Sequence, residues 1–312
     1  MKEYETIFKR AQRFIYRSAR PVELARWRYH FEDGTRGEVL KALAAFQNAD
    51  GGFGHALEAD SMNPNSCPVQ VWTACEILRE IGFEDSSHPV VKGILRYLDS
   101  GAEFSTEKNQ WLNAVSSNNS YPHAVWWDYN ENQELKYNPT AYLAGFILRF
   151  ADAQSGLYRK AEEITKQAYE WFRQSVPTGD GAAASCFIRL YEYLEETGAE
   201  LVDMREFADK LKEEVNADIC REPNRWGTEY VCHPSTLITG RESMFYKGNE
   251  ELVRKECELI AEEQLEDGSY IVPWLWYNDY AEYPLAANWW KSVMIIEKMR
   301  FLREFQTGIF DN

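Results

Sequence analysis

The chain has 312 residues, a formal charge of −16 and a heavy aromatic load that includes 11 Trp and 18 Tyr. That acidity disfavours nucleic acid and anionic membrane surfaces as partners, because both are bound through Lys/Arg clusters. No apolar run reaches the ~18 residues that a membrane span needs. The N-terminal Met-Lys-Glu-Tyr-Glu does not read as a signal peptide, and the six cysteines (67, 75, 186, 220, 232 and 257) have no short paired spacing, so a cytoplasmic chain with reduced thiols is expected.

Tyr4, Ile7, Phe8, Ala11, Phe14 and Ile15 recur at helical spacing and predict a helix over 3–19. Pro21 suits the first turn of a second helix to about Phe31. Thr35 is placed to cap a third over 36–48, which Gly51-Gly52 would end. Ser66 is read as the cap of 67–81 and Ser87 as the cap of 88–99. Residues 101–137 have no helical period but carry Trp126 and Trp127, so an ordered, functional loop is expected. Helices follow over 139–153 (capped by Asn138), 157–175, 181–196, 201–218, 235–246, 249–264 and 283–305. Irregular aromatic stretches lie around Trp226 and Tyr230 and around Trp274 and Trp276.

No strand-like run and no linker appear, so one all-α domain over 1–312 is expected, with 1–31 packing on its body. Lys/Glu-rich helices alternate with more apolar ones. Outer and inner layers would produce that alternation, and five or six helical hairpins closing on themselves would form an α/α toroid, an α6/α6-type barrel; an open superhelical stack is the alternative.

Two short segments match each other: Gln47-x-x-x-Gly51-x-Phe53 and Gln264-x-x-x-Gly268-x-Tyr270. They resemble the Gln–Trp repeat of the squalene/terpenoid cyclase and protein prenyltransferase superfamily, with Phe or Tyr in place of Trp. The resemblance implies the α/α toroid, and the run from Asp50 to Asp60 is similar to an uncharacterised bacterial group. The physical logic is structural: glycine ends a helix in a conformation only it adopts cheaply, the Gln amide satisfies backbone groups at a neighbouring helix end, and the ring packs under the turn. The acid and diphosphate motifs of the cyclases and synthases are missing, so no activity carries over.

Three constellations could carry chemistry. His55, Glu58 and Asp60 follow the first glycine turn; convergent carboxylates can act as an acid/base pair, or simply cap the next helix. Trp126, Trp127, Tyr137, Trp226, Tyr230, Trp274 and Trp276 enter helices from irregular stretches and could line a ligand site, or pack as ordinary core. Cys232-His233, with His123, is a poor nucleus for zinc; no metal or other cofactor is expected. The first functional expectation is a terpenoid cyclase-like protein that binds or transforms an apolar small molecule in an aromatic-lined central cavity, with Glu58 or Asp60 as the acid. The alternatives are a carbohydrate-active α/α barrel, which the Asn-rich loops suit, and a non-catalytic toroid that binds a peptide or protein.

Overall fold

The computed structural model describes residues 2–177, 179, 181–227 and 229–305. Within them the chain is all-α, with helices α1 (Lys2–Ser18), α2 (Pro21–Phe31), α3 (Arg36–Leu43), α4 (Pro68–Glu80), α5 (Pro89–Asp99), α6 (Thr140–Phe150), α7 (Gly156–Gln174), α8 (Gly181–Thr197), α9 (Met204–Asp218), α10 (Pro234–Leu237), α11 (Glu250–Glu262) and α12 (Tyr283–Phe305). The 101–137 region is irregular apart from single 3-10 turns and a two-residue pairing of 104–105 with 110–111. Among the described residues, no helix is long and apolar enough to cross a membrane.

Local chemistry accounts for most ends. Thr35 and Glu38 close a reciprocal capping box on α3, and Ser155 and Asp203 cap α7 and α9. Three expected caps are corrected. Ser66 instead donates to Asp50 Oδ1 at 2.8 Å, leaving Cys67 at the N-cap of α4 without a side-chain bond. Ser87 is engaged by Asp85, and His88 Nδ1 accepts from the Val90 N–H instead. Asn138 is displaced by Pro139 as the N-cap of α6. The helix expected over 235–246 is a single turn that ends at Leu237; beyond it, 240–249 runs as successive tight turns starting at Gly240.

α6 is buried at every position from Thr140 to Leu148, whereas α7 and α9 bury only a stripe. α6 packs on α4, α5, α7 and α8; α8 packs on α9 and α10; α11 and α12 pack on each other and on α1; and α12 also packs on α2. The first and last helices therefore lie together. Ion pairs stitch the apolar helices across their facing sides. Arg26 of α2 holds Glu80 of α4 at 2.6 and 2.9 Å, with His30 at 2.9 Å and Arg300 of α12 at 3.0 Å from the same carboxylate. Arg79 of α4 reaches Glu192 of α8 at 2.7 Å, and Arg189 of α8 reaches Glu76 of α4 at 3.5 Å.

The two Gln–Gly–aromatic segments have the same geometry. Gln47 Nε2 donates to the Gly51 carbonyl (2.9 Å) and to the Val90 carbonyl of α5 (3.0 Å); Gln264 Nε2 donates to the Gly268 carbonyl (3.2 Å) and to the Ile7 carbonyl of α1 (2.9 Å). Asp50 and Asp267 each accept, at 2.9 Å, from the second residue on. Gly51 and Gly268 have φ of 98° and 93°, and a Cβ on either would lie 2.1 Å from a carbonyl oxygen of α5 or α1. Each joint thus presses backbone on backbone against a helix, which only glycine permits. Phe53 and Tyr270 are buried beside them. The carbonyls that Gln47 and Gln264 reach lie in or before the middle of α5 and α1, not at helix C-termini, a refinement of the role expected for the amides.

Candidate active site

Glu58 and Asp60 sit on a loop that the chain fixes from several sides. His55 and Ala56 have φ of 61° and 60°, so the backbone turns sharply before Glu58. Arg20, at the start of α2, donates to the Ala56 and Leu57 carbonyls while pairing with Glu23 at 2.6 Å. Gln70 of α4 accepts from the Leu57 N–H at 2.8 Å and donates to the Asn63 carbonyl at 3.1 Å. Asn63 donates to Asn118 (2.8 Å), and Asn118 to the Trp127 carbonyl (3.0 Å). The Ala124 N–H donates to the Asp60 carbonyl (2.9 Å), and the Val125 N–H to the Trp276 carbonyl (3.1 Å). Three irregular stretches, distant in sequence, are thereby laced into one layer.

At its centre Asp60 is 2% exposed and Glu58 8% exposed. Trp276 Nε1 donates to Asp60 Oδ1 at 2.6 Å and Trp274 Nε1 to Oδ2 at 3.1 Å. The indoles of Trp290 and Trp127 reach toward Asp60 and Glu58 respectively without closing a hydrogen bond of good geometry, so Trp290 Nε1, Trp127 Nε1 and Glu58 Oε2 are buried polar atoms lacking a partner. Trp72 Nε1 is another; its ring packs with Trp127 on the small cluster of Cys67, Val69 and Val115. Such atoms are rare in folded proteins and call for a specific explanation.

The electrostatics follow from this burial. Loss of solvent pushes the Glu58 carboxyl well above the usual carboxylate range, and the Asp60 charge pushes it the same way; Trp127, the Asp60 N–H and Arg20 act in the opposite sense. Burial also raises Asp60, against the indoles of Trp276, Trp290 and Trp274, which favour its charged form. No Lys or Arg forms an ion pair with either carboxyl among the described residues: Arg20 is spent on Glu23 and on backbone. The arrangement favours the protonated form of Glu58 more strongly than that of Asp60, whose oxygens accept from indoles.

The other expected site residues are dispersed. His55 is corrected: the left-handed turn points it outward, where it is exposed and meets Asn48 Oδ1 at 2.9 Å. Tyr137 packs on Trp171 and Phe187, and Trp226 stacks near His233 while donating to the Cys220 carbonyl; neither contacts the carboxyl pair. Trp126 and Tyr230 are exposed, with Tyr230 edge-on to Trp274 at 6.0 Å. His123 is held by Asp128 at 2.8 Å, and His233 lies 3.4 Å from Glu256, so the two histidines do not converge. Cys220 lies close to Cys232 through its N–H, which donates to the Cys232 carbonyl; even so, no three His, Cys, Asp or Glu side chains gather as metal ligands among the described residues. Trp290, at an ordinary helix position by periodicity, joins the site at Asp60, and Trp72 packs beside Trp127 at its edge. Their only distinguishing signal was an indole N–H that needs an acceptor when buried.

The two best-formed depressions, of about 270 and 240 Å³, lie at Trp171 and at Phe83–Arg149, away from this pair. Comparison with family models, curated proteins and solved structures gives no match.

Proposed function

We propose that this chain is an acid–base enzyme for a neutral, oxygen-rich small molecule of the sugar class, built on a closed α/α toroid. The ring reading is supported by the alternation of the apolar α6 and α8 with the more polar α7 and α9, and by the contacts of α12 with α1 and α2 and of α1 with α11. All the loops that lead into the even-numbered helices would then share one face, with Glu58 at its centre.

The observation that carries the functional reading is the set of unpartnered buried atoms beside Glu58. Indole N–H groups only donate. A hydrocarbon would leave Trp72 unpaired, at a cost of about 1–3 kcal/mol, and would leave Trp127 and Trp290 with only their poorly aligned approach to Glu58 and Asp60. Hydroxyl and ether oxygens would accept from them, while indole faces suit the apolar faces of a sugar ring. Glu58, whose burial favours its protonated form, donates its proton to a leaving oxygen, and water takes the place of the leaving group on the carbon and returns a proton to Glu58. Asp60, with both oxygens held by indoles, is placed so that its ionised form stabilises positive charge developing on the substrate.

A second reading keeps the acid and takes an apolar terpenoid-like ligand. The Gln47 and Gln264 joints favour it through the superfamily they resemble. The ion pairs of Glu80, Arg26, Arg300, Arg79 and Arg189 that cross between the even-numbered helices count against an apolar central cavity.

Native mass spectrometry of the chain purified from its own cells tests this. A sugar-class adduct that is lost in Trp127→Phe supports the proposal. A terpenoid-class adduct moves the assignment to the second reading, and no adduct in any preparation counts against both.

A further inference from the structure

The stretches around Glu58 also carry exposed large apolar side chains, among them Tyr230 (78% exposed), Tyr277 (70%), Trp126 and Tyr280. They are not scattered. Two lines of ring contacts run from solvent to the buried acids. Tyr230 meets Trp274 at 6.0 Å, and Trp274 bonds Asp60. Tyr280 meets Trp276 at 6.4 Å, and Trp276 bonds the other oxygen of Asp60. Tyr277 has φ of 58°, a conformation that a bulky side chain seldom adopts. Its neighbours impose it: Trp276 is buried, and Asn278 donates to the His123 carbonyl at 2.6 Å. An exposed ring is thus held in a strained backbone, a feature that clusters at functional sites.

We infer that this rim binds further units of a linear neutral oligosaccharide whose reacting unit occupies the Glu58 site, an inference that rests on the proposed function. Tyrosine and tryptophan present flat apolar faces with a polar edge, which matches the two sides of a sugar ring. The exposed Asp279, Asn278 and Asp128 between them offer hydrogen bonds to hydroxyls and make the face a poor seat for an anionic membrane or for an acidic polymer. The rings lie beyond the acid pair along the lines described, so a single sugar at Glu58 would leave them uncovered.

The test is a binding series by intrinsic tryptophan fluorescence and calorimetry. The probes are cello-, xylo- and N-acetylchito-oligosaccharides from monomer to hexamer, and vesicles of neutral phosphatidylcholine serve as the apolar control. In at least one sugar series, affinity is expected to rise with length. Tyr230→Ala with Tyr277→Ala is then expected to weaken the hexamer by about tenfold or more, the loss of two stacked rings, and to leave the monomer unchanged. Trp127→Phe is expected to weaken both lengths alike. Monomer binding that is sensitive to Trp127 but shows no gain with length overturns the rim while the Glu58 site stands. Vesicle binding that the two tyrosine changes abolish overturns it in favour of a lipid surface. No binding by any sugar fails both readings.

Discussion

Glu58 is the residue on which the rest depends. Its carboxyl loses solvent without gaining a cation, so burial holds the proton on it. The sign of the linkage follows. In the unfolded chain Glu58 ionises in the ordinary carboxylate range near 4.3, while in the folded chain it ionises higher. Its contribution to stability is therefore complete below the unfolded value and is lost as pH rises through the folded one. Asp60, also raised, adds in the same direction. Glu58→Gln keeps the shape and removes the ionisation. It is expected to raise the melting temperature relative to wild type at pH 8 and to bring no such gain at pH 4, by thermal unfolding at the two values. A variant less stable than wild type at both would mean that Glu58 is charged and satisfied. Glu58 and Asp60 were legible in the sequence because two carboxylates after a glycine turn have few structural excuses. His55 misled because nothing in its neighbours announces a left-handed turn at two non-glycine residues.

At the scale of elements, the two glycine joints make a matched pair of experiments. Gly51→Ala and Gly268→Ala each put a Cβ against a helix carbonyl and force an unfavourable φ. Each is expected to cost at least 1–3 kcal/mol by the backbone term alone, and the two costs should agree because the contacts do; chemical denaturation of both variants measures this. Gln47→Ala and Gln264→Ala should each cost about 1–3 kcal/mol, the worth of two hydrogen bonds. The helices themselves were largely readable, since apolar spacing is local information and packing follows it. Their caps were less so. Ser66 and Ser87 have the right chemistry for caps, but Asp50 and Asp85 are nearer competitors for their hydroxyls. The 235–246 segment looked long enough for a helix, yet with Gly240 inside it the helix ends after one turn.

Across the whole molecule, the charged side chains facing each other between α2, α4, α8 and α12 were invisible in the sequence, where each looks like an ordinary surface position. The Arg26, Arg300 and His30 groups around it hold Glu80 far below the usual carboxylate range despite its burial. Here the sign is opposite to that of Glu58: the stabilisation is present above the unfolded value and is lost only as pH falls through the depressed folded one. Glu80→Gln leaves Arg26 buried without its partner and is expected to destabilise the fold by about 3–5 kcal/mol at neutral pH, with the difference from wild type shrinking in strong acid. An equal loss at every pH would assign Glu80 a packing role alone. Trp290 is likewise a whole-molecule fact: it lies far from Asp60 in the sequence, and only the assembled fold brings its indole toward that acid, while Trp72 packs beside Trp127.

The protonated acid can be observed directly. Infrared difference spectra between wild type and Glu58→Gln at neutral pH isolate the Glu58 carbonyl. A protonated-acid band that is present in wild type, absent in the variant and lost at high pH is the expected result. A difference made only of carboxylate bands would show Glu58 ionised, and would remove the acid from the centre of the proposed chemistry.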